Sequence, residues 1–205
     1  TPNYGKAKIH EIQGTHITRF PYYKKLSKQY ESVSPFHQSN VVWWVWTTYQ
    51  LMKAVAASKA DVLHVQGKYF IPQAVIVGAL FKIPVVVTLR DYISLCPYAY
   101  CMRVERGYRA CSLIELLTKD FPIFIKQFEI TTISTRFLAI LGMCNGWLTS
   151  KILSFFLTFV QVKVGISQKL KYIYSVNDIQ LTSTIYNTFL APKVATLSKE
   201  RYLLF

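Results

Sequence analysis

The feature that most constrains the fold is the run IPVVVTL at residues 83–89. Its β-branched residues follow one another instead of alternating with polar ones, which is typical of a strand covered on both faces. A second strand is predicted within ADVLHVQG at 60–67, and Pro72 suits the first turn of a helix between the two. A strand, a helix and a strand within about 30 residues form a right-handed parallel crossover. The sequence therefore predicts a parallel sheet.

The rest of the chain continues this alternation of strands and helices. Apolar residues spaced three and four apart predict a helix over 40–59. VQVKVGIS at 160–167 is predicted to be the next buried strand, with Ser167 placed to cap the helix that follows. Further strands are predicted at 6–13 and 181–189, and a loop at 20–40. This order predicts an α/β fold with helices on both faces of the sheet and ligands at the carboxyl ends of the strands.

The charge of the chain narrows the class of partner. There are 24 Lys and Arg residues against 10 Asp and Glu residues, a net charge of +14. Such a field attracts phosphates on nucleic acid, on anionic lipid or on a small substrate, and the charge alone does not choose among them. Nucleic acid is the least favoured of the three, since the basic residues are scattered and no zinc-finger or RNP signature is present.

The four cysteines predict free thiols. Cys96, Cys101 and Cys111 follow one another at spacings that differ from the usual zinc pairs, in which two residues separate the ligands, and Cys144 stands apart. We therefore expect no metal site. Because the first residues do not have the pattern of a secretory signal, we also expect a cytoplasmic, reducing location.

The apolar stretch 137–162 has one charged residue, Lys151, and could by its length cross a membrane. Asn145 and Gly146 interrupt the apolar run, and we predict that a helix breaks there. The favoured interpretation is two helices and a strand, with one apolar helix face at the membrane interface. A single membrane-spanning helix is the alternative.

Four segments in order carry a resemblance to a known family: ADVLHVQG, IPVVVTLRDYISLCP, VGISQKLKYIY and IYNTF, from about Ala60 to Phe189. Together they resemble the N-terminal domain of family 4 glycosyltransferases, which are retaining enzymes with two facing Rossmann-like domains, the GT-B architecture. The resemblance implies transfer of a sugar from a nucleotide-sugar donor to a lipid-linked or saccharide acceptor. It implies no cofactor, because the nucleotide-sugar is a substrate.

The resemblance assigns the catalytic position to Arg90 and Asp91, where the family usually has His-Asp facing the acceptor and the donor sugar. Arginine cannot act as an acid or base near neutral pH, but its guanidinium can clamp a phosphate or a carboxylate. Three interpretations stay open: a shifted acceptor preference, a weakened active site, or an Arg90 that only pairs with Asp91 or with a surface carboxylate.

Four further residues are candidates for substrate binding. Gln66 and Gly67 end the first predicted strand, where glycine allows a ligand to approach the backbone. Ser167 is either a plain helix cap or part of an anion site at a helix N-terminus. Asn187 resembles the turn asparagine of the family, and is otherwise an ordinary turn residue. His64 is more simply a satisfied core histidine than a ligand.

The resemblance also implies a domain organisation. Residues 1–198 are expected to be the acceptor-side domain without its first strand-helix-strand unit, and residues 199–205 (KERYLLF) the start of a nucleotide-sugar-binding domain. We therefore expect little activity from this chain alone. The basic charge suits a peripheral enzyme at the cytoplasmic face of a membrane. The alternative is a non-catalytic basic module that binds anionic membrane or nucleic acid.

Overall fold

The computed structural model describes residues 8–12, 15–20, 40–68, 70–98, 106–185 and 202–204, and these form an α/β fold. The strands are β1 (Lys8–Ile12), β2 (Thr15–Arg19), β3 (Val62–Gln66), β4 (Val85–Leu89), β5 (Val162–Gly165), β6 (Ser183–Thr184) and β7 (Tyr202–Leu204). The helices are α1 (Val41–Ser58), α2 (Ile71–Phe81), α3 (Leu113–Glu115), a π-helical turn (Leu116–Asp120), α4 (Phe121–Gln127), α5 (Ile133–Thr158) and α6 (Gln168–Val176).

Within this part of the chain, five strands form one parallel sheet in the order β6-β5-β4-β3-β7. The predicted parallel sheet and the predicted crossover from β3 through α2 to β4 are confirmed. β1 and β2 form a separate antiparallel pair, in which Ile12 is opposite Thr15. The sequence predicted a strand at β1 but missed β2. The predicted loop at 20–40 lies almost wholly outside the described residues.

One face of the sheet is the centre of the core. Its side chains are at most 2% exposed: Leu63, Val65, Val85, Val87 and Leu89. α2 covers this face, since a Cβ on Gly78 would lie 2.5 Å from Val85 Cγ2. α6 lies on the same side, because a Cβ on Gly165, the neighbour of Leu89, would meet the side chains of Leu170 and Leu181.

The opposite face of the sheet is less covered than the continuous β-branched run predicts. Val86 and Thr88 of β4 and His64 of β3 are half-buried on that side. Helices therefore cover one face as predicted, and cover of the other face by helices stays a prediction.

α5 corrects the prediction of a break at Asn145 and Gly146, because one helix of 26 residues runs through both. Gly146 is needed there for packing: a Cβ would lie 3.2 Å from Pro97 Cβ and 3.3 Å from the ring of Tyr98. The glycine thus marks a close approach between the helix and a loop. α5 is the helix among the described residues that is long and apolar enough to cross a membrane by length and composition.

Polar side chains fix the starts of the helices. Asn40 Oδ1 accepts a hydrogen bond from the Val42 backbone nitrogen at 2.9 Å at the start of α1. Ser112 and Glu115 form a reciprocal capping box at α3. Ser167 Oγ accepts from the Leu170 backbone nitrogen at 3.1 Å, so the predicted cap of α6 is confirmed.

The cysteines differ from the prediction of free thiols at one position. Cys96 is disulfide-bonded, whereas Cys111 and Cys144 are free. Cys111 Sγ lies 3.8 Å from Cys96 Sγ, and both residues are buried.

Candidate functional site

The candidate site lies where β3, β4 and β5 end together at the carboxyl edge of the sheet. Gln66 ends β3, Arg90 directly follows β4, and the two strands are hydrogen-bonded neighbours. Arg90 Nη2 donates to Gln66 Oε1 at 2.9 Å, and both side chains are exposed. The structure thus brings together two of the residues that the sequence singled out, with the guanidinium at the open edge as its charge requires.

Asp91 has a different partner from the one considered in the sequence. Its Oδ2 lies 3.4 Å from Lys68 Nζ, and its Oδ1 accepts from the Ile93 backbone nitrogen at 3.0 Å. The Lys68 side chain is only 11% exposed, whereas that of Asp91 is 47% exposed. Within the described residues Asp91 thus contacts Lys68 and Arg90 contacts Gln66, and the three interpretations of Arg90 stay predictions. Sequence reasoning missed Lys68, whose one signal is its place two residues after β3.

Gly67 is required by its backbone conformation. Its φ is +95°, a region that L side chains rarely adopt, and its nitrogen donates to the Thr88 carbonyl at 3.0 Å. A Cβ there would have no heavy atom within 4 Å. The turn after β3, which presents Lys68 to Asp91, therefore depends on this glycine.

Ser167 lies at the same edge, because β5 pairs with β4 and Gly165 is opposite Leu89. The N-terminus of α6 therefore begins close to the end of β4. Its cap is made by the Ser167 hydroxyl, which is the simpler of the two interpretations given above. Asn187 lies outside the described residues, so its assignment stays a prediction.

His64 behaves as a satisfied histidine. Its Nε2 is 2.8 Å from Thr88 Oγ1 on the adjacent strand. Burial lowers the pKa of His64 from its usual 6.5. The imidazole is thus held neutral at physiological pH in the half-buried face of the sheet.

Three hydroxyl groups hold the backbone of residues 91–96, which follow β4 and are called here the β4 loop. The Tyr174 hydroxyl donates to the Asp91 carbonyl at 3.0 Å. Ser150 Oγ donates to the Ile93 carbonyl at 2.7 Å, and Ser154 Oγ donates to the Ser94 carbonyl at 2.5 Å. The Tyr174 hydroxyl also hydrogen-bonds Ser94 Oγ. Burial raises the pKa of Tyr174, so the phenol stays protonated.

Arg106 and Asp120 form a second charged pair. Asp120, at the end of the π-helical turn, is fully buried and accepts from Arg106 Nη1 at 3.1 Å, while Arg106 Nη2 is 3.0 Å from its other oxygen. This hydrogen bond raises the pKa of Arg106. Burial raises the pKa of the neighbouring Cys111 thiol to about 11. The ion pair ties residue 106 to the end of the π-helical turn, and within the described residues the buried Asp120 Oδ1 makes no hydrogen bond.

The edge of the sheet can therefore bind a ligand with both anionic and hydroxyl groups. Arg90 offers a planar set of donors, and the half-exposed carboxylate of Asp91 can accept from a hydroxyl. Within the described residues no cluster of three or more His, Cys, Asp or Glu side chains could hold a metal ion. No protein-family model, characterised protein or solved structure gives a significant match to this chain.

Proposed function

We propose that this chain is the acceptor-side domain of a retaining glycosyltransferase with the Rossmann-like, GT-B architecture. The observation that carries the proposal is the set formed by Gln66, Lys68, Arg90 and Asp91 at the carboxyl edge of a parallel sheet. Ligands of open α/β sheets bind at this edge, beyond the ends of the strands. The segments that resemble family 4 glycosyltransferases include these same strand ends, and this resemblance also supports the proposal.

In this proposal Arg90 binds a phosphate, either of an anionic acceptor or of the donor diphosphate. Its exposed guanidinium is oriented by Gln66, so that it meets a phosphate with little loss of side-chain freedom. Asp91 accepts a hydrogen bond from a sugar hydroxyl, and the contact of its Oδ2 with Lys68 Nζ at 3.4 Å helps to hold the carboxylate in place. A nucleotide-sugar is the second substrate and no cofactor takes part.

The test is sugar transfer by the protein that contains this chain together with a nucleotide-sugar-binding domain. Arg90→Lys keeps the charge but loses the planar donor pair, so we expect transfer to fall at least about tenfold while the unfolding curve stays unchanged. Arg90→His measures whether the usual family residue is tolerated. Arg109→Ala, which removes an exposed arginine outside the candidate site and outside α5, is the matched control and should transfer at the wild-type rate. Wild-type transfer by Arg90→Ala would refute the assignment.

An anionic membrane surface is the second candidate, and α5 supports it. One side of this helix is apolar and exposed along its length, although the opposite side is in the core. The exposed side, called here the outer stripe, consists of residues that are each at least 50% exposed: Ile133, Phe137, Leu141, Leu148, Phe155 and Phe159. From Ile133 to Phe155, the last of these residues within α5, the stripe is about 33 Å long by the rise of an α-helix. Exposed apolar side chains grouped in this way are typical of interaction or membrane sites, and the exposed Lys151 lies on the same side of the helix.

Charge favours lipid over another occupant of the outer stripe. α5 contains Arg136 and Lys151 and no acidic residue. Met143, Leu153 and Leu157 on its inner side are buried in the core, so a helix that kept these contacts would lie in the plane of the interface instead of crossing the bilayer. We therefore propose a peripheral protein at the cytoplasmic face of a membrane, where a lipid-linked acceptor would be presented.

Vesicle sedimentation tests this second proposal. We expect binding to vesicles that contain phosphatidylglycerol, weakening as salt is raised, and little binding to phosphatidylcholine alone. Phe137→Ser with Leu148→Ser should abolish binding, whereas Ile114→Ser, which removes an exposed apolar side chain outside α5, should not. Equal binding by the double variant, salt-dependent binding to an oligonucleotide instead of vesicles, or a dimer that the double variant disrupts would each contradict it.

A further inference from the structure

The β4 loop is held from outside by side chains that come from distant parts of the chain. The three carbonyl groups of Asp91, Ile93 and Ser94 accept hydrogen bonds from hydroxyls on α5 and α6. Loop backbone is ordinarily satisfied by water or by its own turns. Here Tyr174 is fully buried and Ser94 is 1% exposed, so that water has no access to the junction between them.

The hydroxyls fix the side chain of Asp91 through a short series of bonds. Tyr174 holds the Asp91 carbonyl, and Ser150 holds the Ile93 carbonyl two residues on. Between these two anchors, the Ile93 nitrogen donates to Asp91 Oδ1. The direction of the carboxylate therefore follows from the backbone of 91–93, which is held at both ends, together with the contact of Oδ2 with Lys68.

We propose that Tyr174 is a positioning residue of the candidate site, acting on Arg90 and Asp91 through the backbone of the β4 loop. Its phenol oxygen is shared between Ser94 and Asp91, which joins the loop to α6 at one point. Because Arg90 precedes Asp91 directly, the same anchor sets where the guanidinium leaves the sheet. The proposal rests on the proposed function only in taking Arg90 and Asp91 as the ligand-binding groups.

A phenylalanine at position 174 would fill the same space without the hydroxyl, and this makes the test selective. In Tyr174→Phe we expect the amides of Leu95 and Cys96, which both donate to the Tyr92 carbonyl, to exchange with solvent about tenfold faster or more. The carbon-13 signal of the Asp91 carboxyl should shift. The matched control is Tyr172→Phe on the exposed side of the same helix, which should change neither measurement.

Several outcomes would overturn the proposal. If the amides of the core strands accelerate as much as those of the loop, Tyr174 stabilises the whole fold and positions nothing. If neither the loop amides nor the Asp91 signal change, the hydroxyl has no role. Should Tyr174→Phe fail to fold, Ser154→Ala removes one donor from the Ser94 carbonyl and must accelerate exchange at the loop alone.

Binding of inorganic pyrophosphate tests the anion site of the proposed function separately from the positioning role of Tyr174. We expect wild-type protein to bind it through Arg90, and Tyr174→Phe to bind it several-fold more weakly than Tyr172→Phe, as measured by titration calorimetry. If wild type and Arg90→Ala bind pyrophosphate equally, the anion site at Arg90 is wrong, whereas the exchange and carboxyl results still decide the positioning of the loop.

Discussion

Replacing Gly78 with alanine tests the close packing of α2 on the sheet. The added Cβ would lie 2.5 Å from Val85 Cγ2 and 2.8 Å from the Ile83 carbonyl oxygen. Carbon atoms in contact are ordinarily about 3.5–4.0 Å apart, so the methyl group is more than an ångström too close. Val85 is buried with a branched side chain, and the second neighbour is backbone held by a 2.8 Å hydrogen bond from the Ile83 nitrogen to the Gly78 carbonyl. Neither neighbour can move away cheaply.

The size of the effect follows from two opposing contributions. Overpacking of this kind costs about 1–3 kcal/mol, and two rigid neighbours place it near the upper end. Alanine has a higher helix propensity than glycine, which raises the free energy of unfolding by about 1 kcal/mol. We therefore expect the free energy of unfolding to fall by about 2 kcal/mol, which corresponds to a melting temperature lower by about 4–8 °C.

Urea denaturation followed by circular dichroism measures this difference. Ala79→Gly, at the exposed neighbouring position of the same helix, isolates the backbone contribution and should lose about 1 kcal/mol. A Gly78→Ala protein as stable as wild type, or more stable, would show that α2 can shift away from β4, and the argument from close approach would then be wrong.

Three further predictions concern charged and titrating groups. Arg106→Ala leaves the fully buried carboxylate of Asp120 without its partner and should lower the free energy of unfolding in urea by about 3 kcal/mol. Because burial lowers the pKa of His64, the unfolded chain binds more protons than the folded one between that lowered pKa and 6.5. The free energy of unfolding should therefore rise with pH across this window and fall as the pH is lowered through it. His64→Gln should remove this pH dependence. The pKa of Cys111, raised to about 11 from 9.0, leaves about a hundredfold less thiolate, so mass spectrometry should find iodoacetamide on Cys144 well before Cys111.

Local sequence patterns predicted the strands and helices that depend on the shape and spacing of neighbouring side chains. The β-branched residues of Val85–Leu89 form a strand because their side chains suit a pleated, buried surface, and the spacing within 40–59 produced α1 as predicted. The same reasoning was wrong at Asn145 and Gly146, where the intrinsic loss for glycine in a helix is about 1 kcal/mol. Burial of the α5 side chains on either side outweighs that loss, and burial depends on the tertiary fold.

Of the candidate site, too, one part could be predicted from the sequence and another part could not. Arg90 and Gln66 could be predicted, because a charged or polar residue that ends a buried strand must lie at the sheet edge. Lys68 meets Asp91 across 23 positions, and Tyr174 meets Asp91 across 83. No periodicity or spacing specifies such contacts, since they depend on how the helices after β4 return to the sheet.

Because α5 packs in the core on one side and has the outer stripe on the other, its sequence should be restricted in how it can vary. A surface helix usually has one face that tolerates almost any polar residue, so that its permitted substitutions follow the helical repeat. On α5 the core side is occupied by Met143 and Leu153, and the neighbouring hydroxyls hold the β4 loop. If the outer stripe meets lipid, the remaining side is restricted as well. Saturation mutagenesis should then find residues 142–158 of α5 intolerant around the whole circumference of the helix, whereas α6, with Tyr172 on an exposed side, should show the ordinary alternation of permissive and restricted positions.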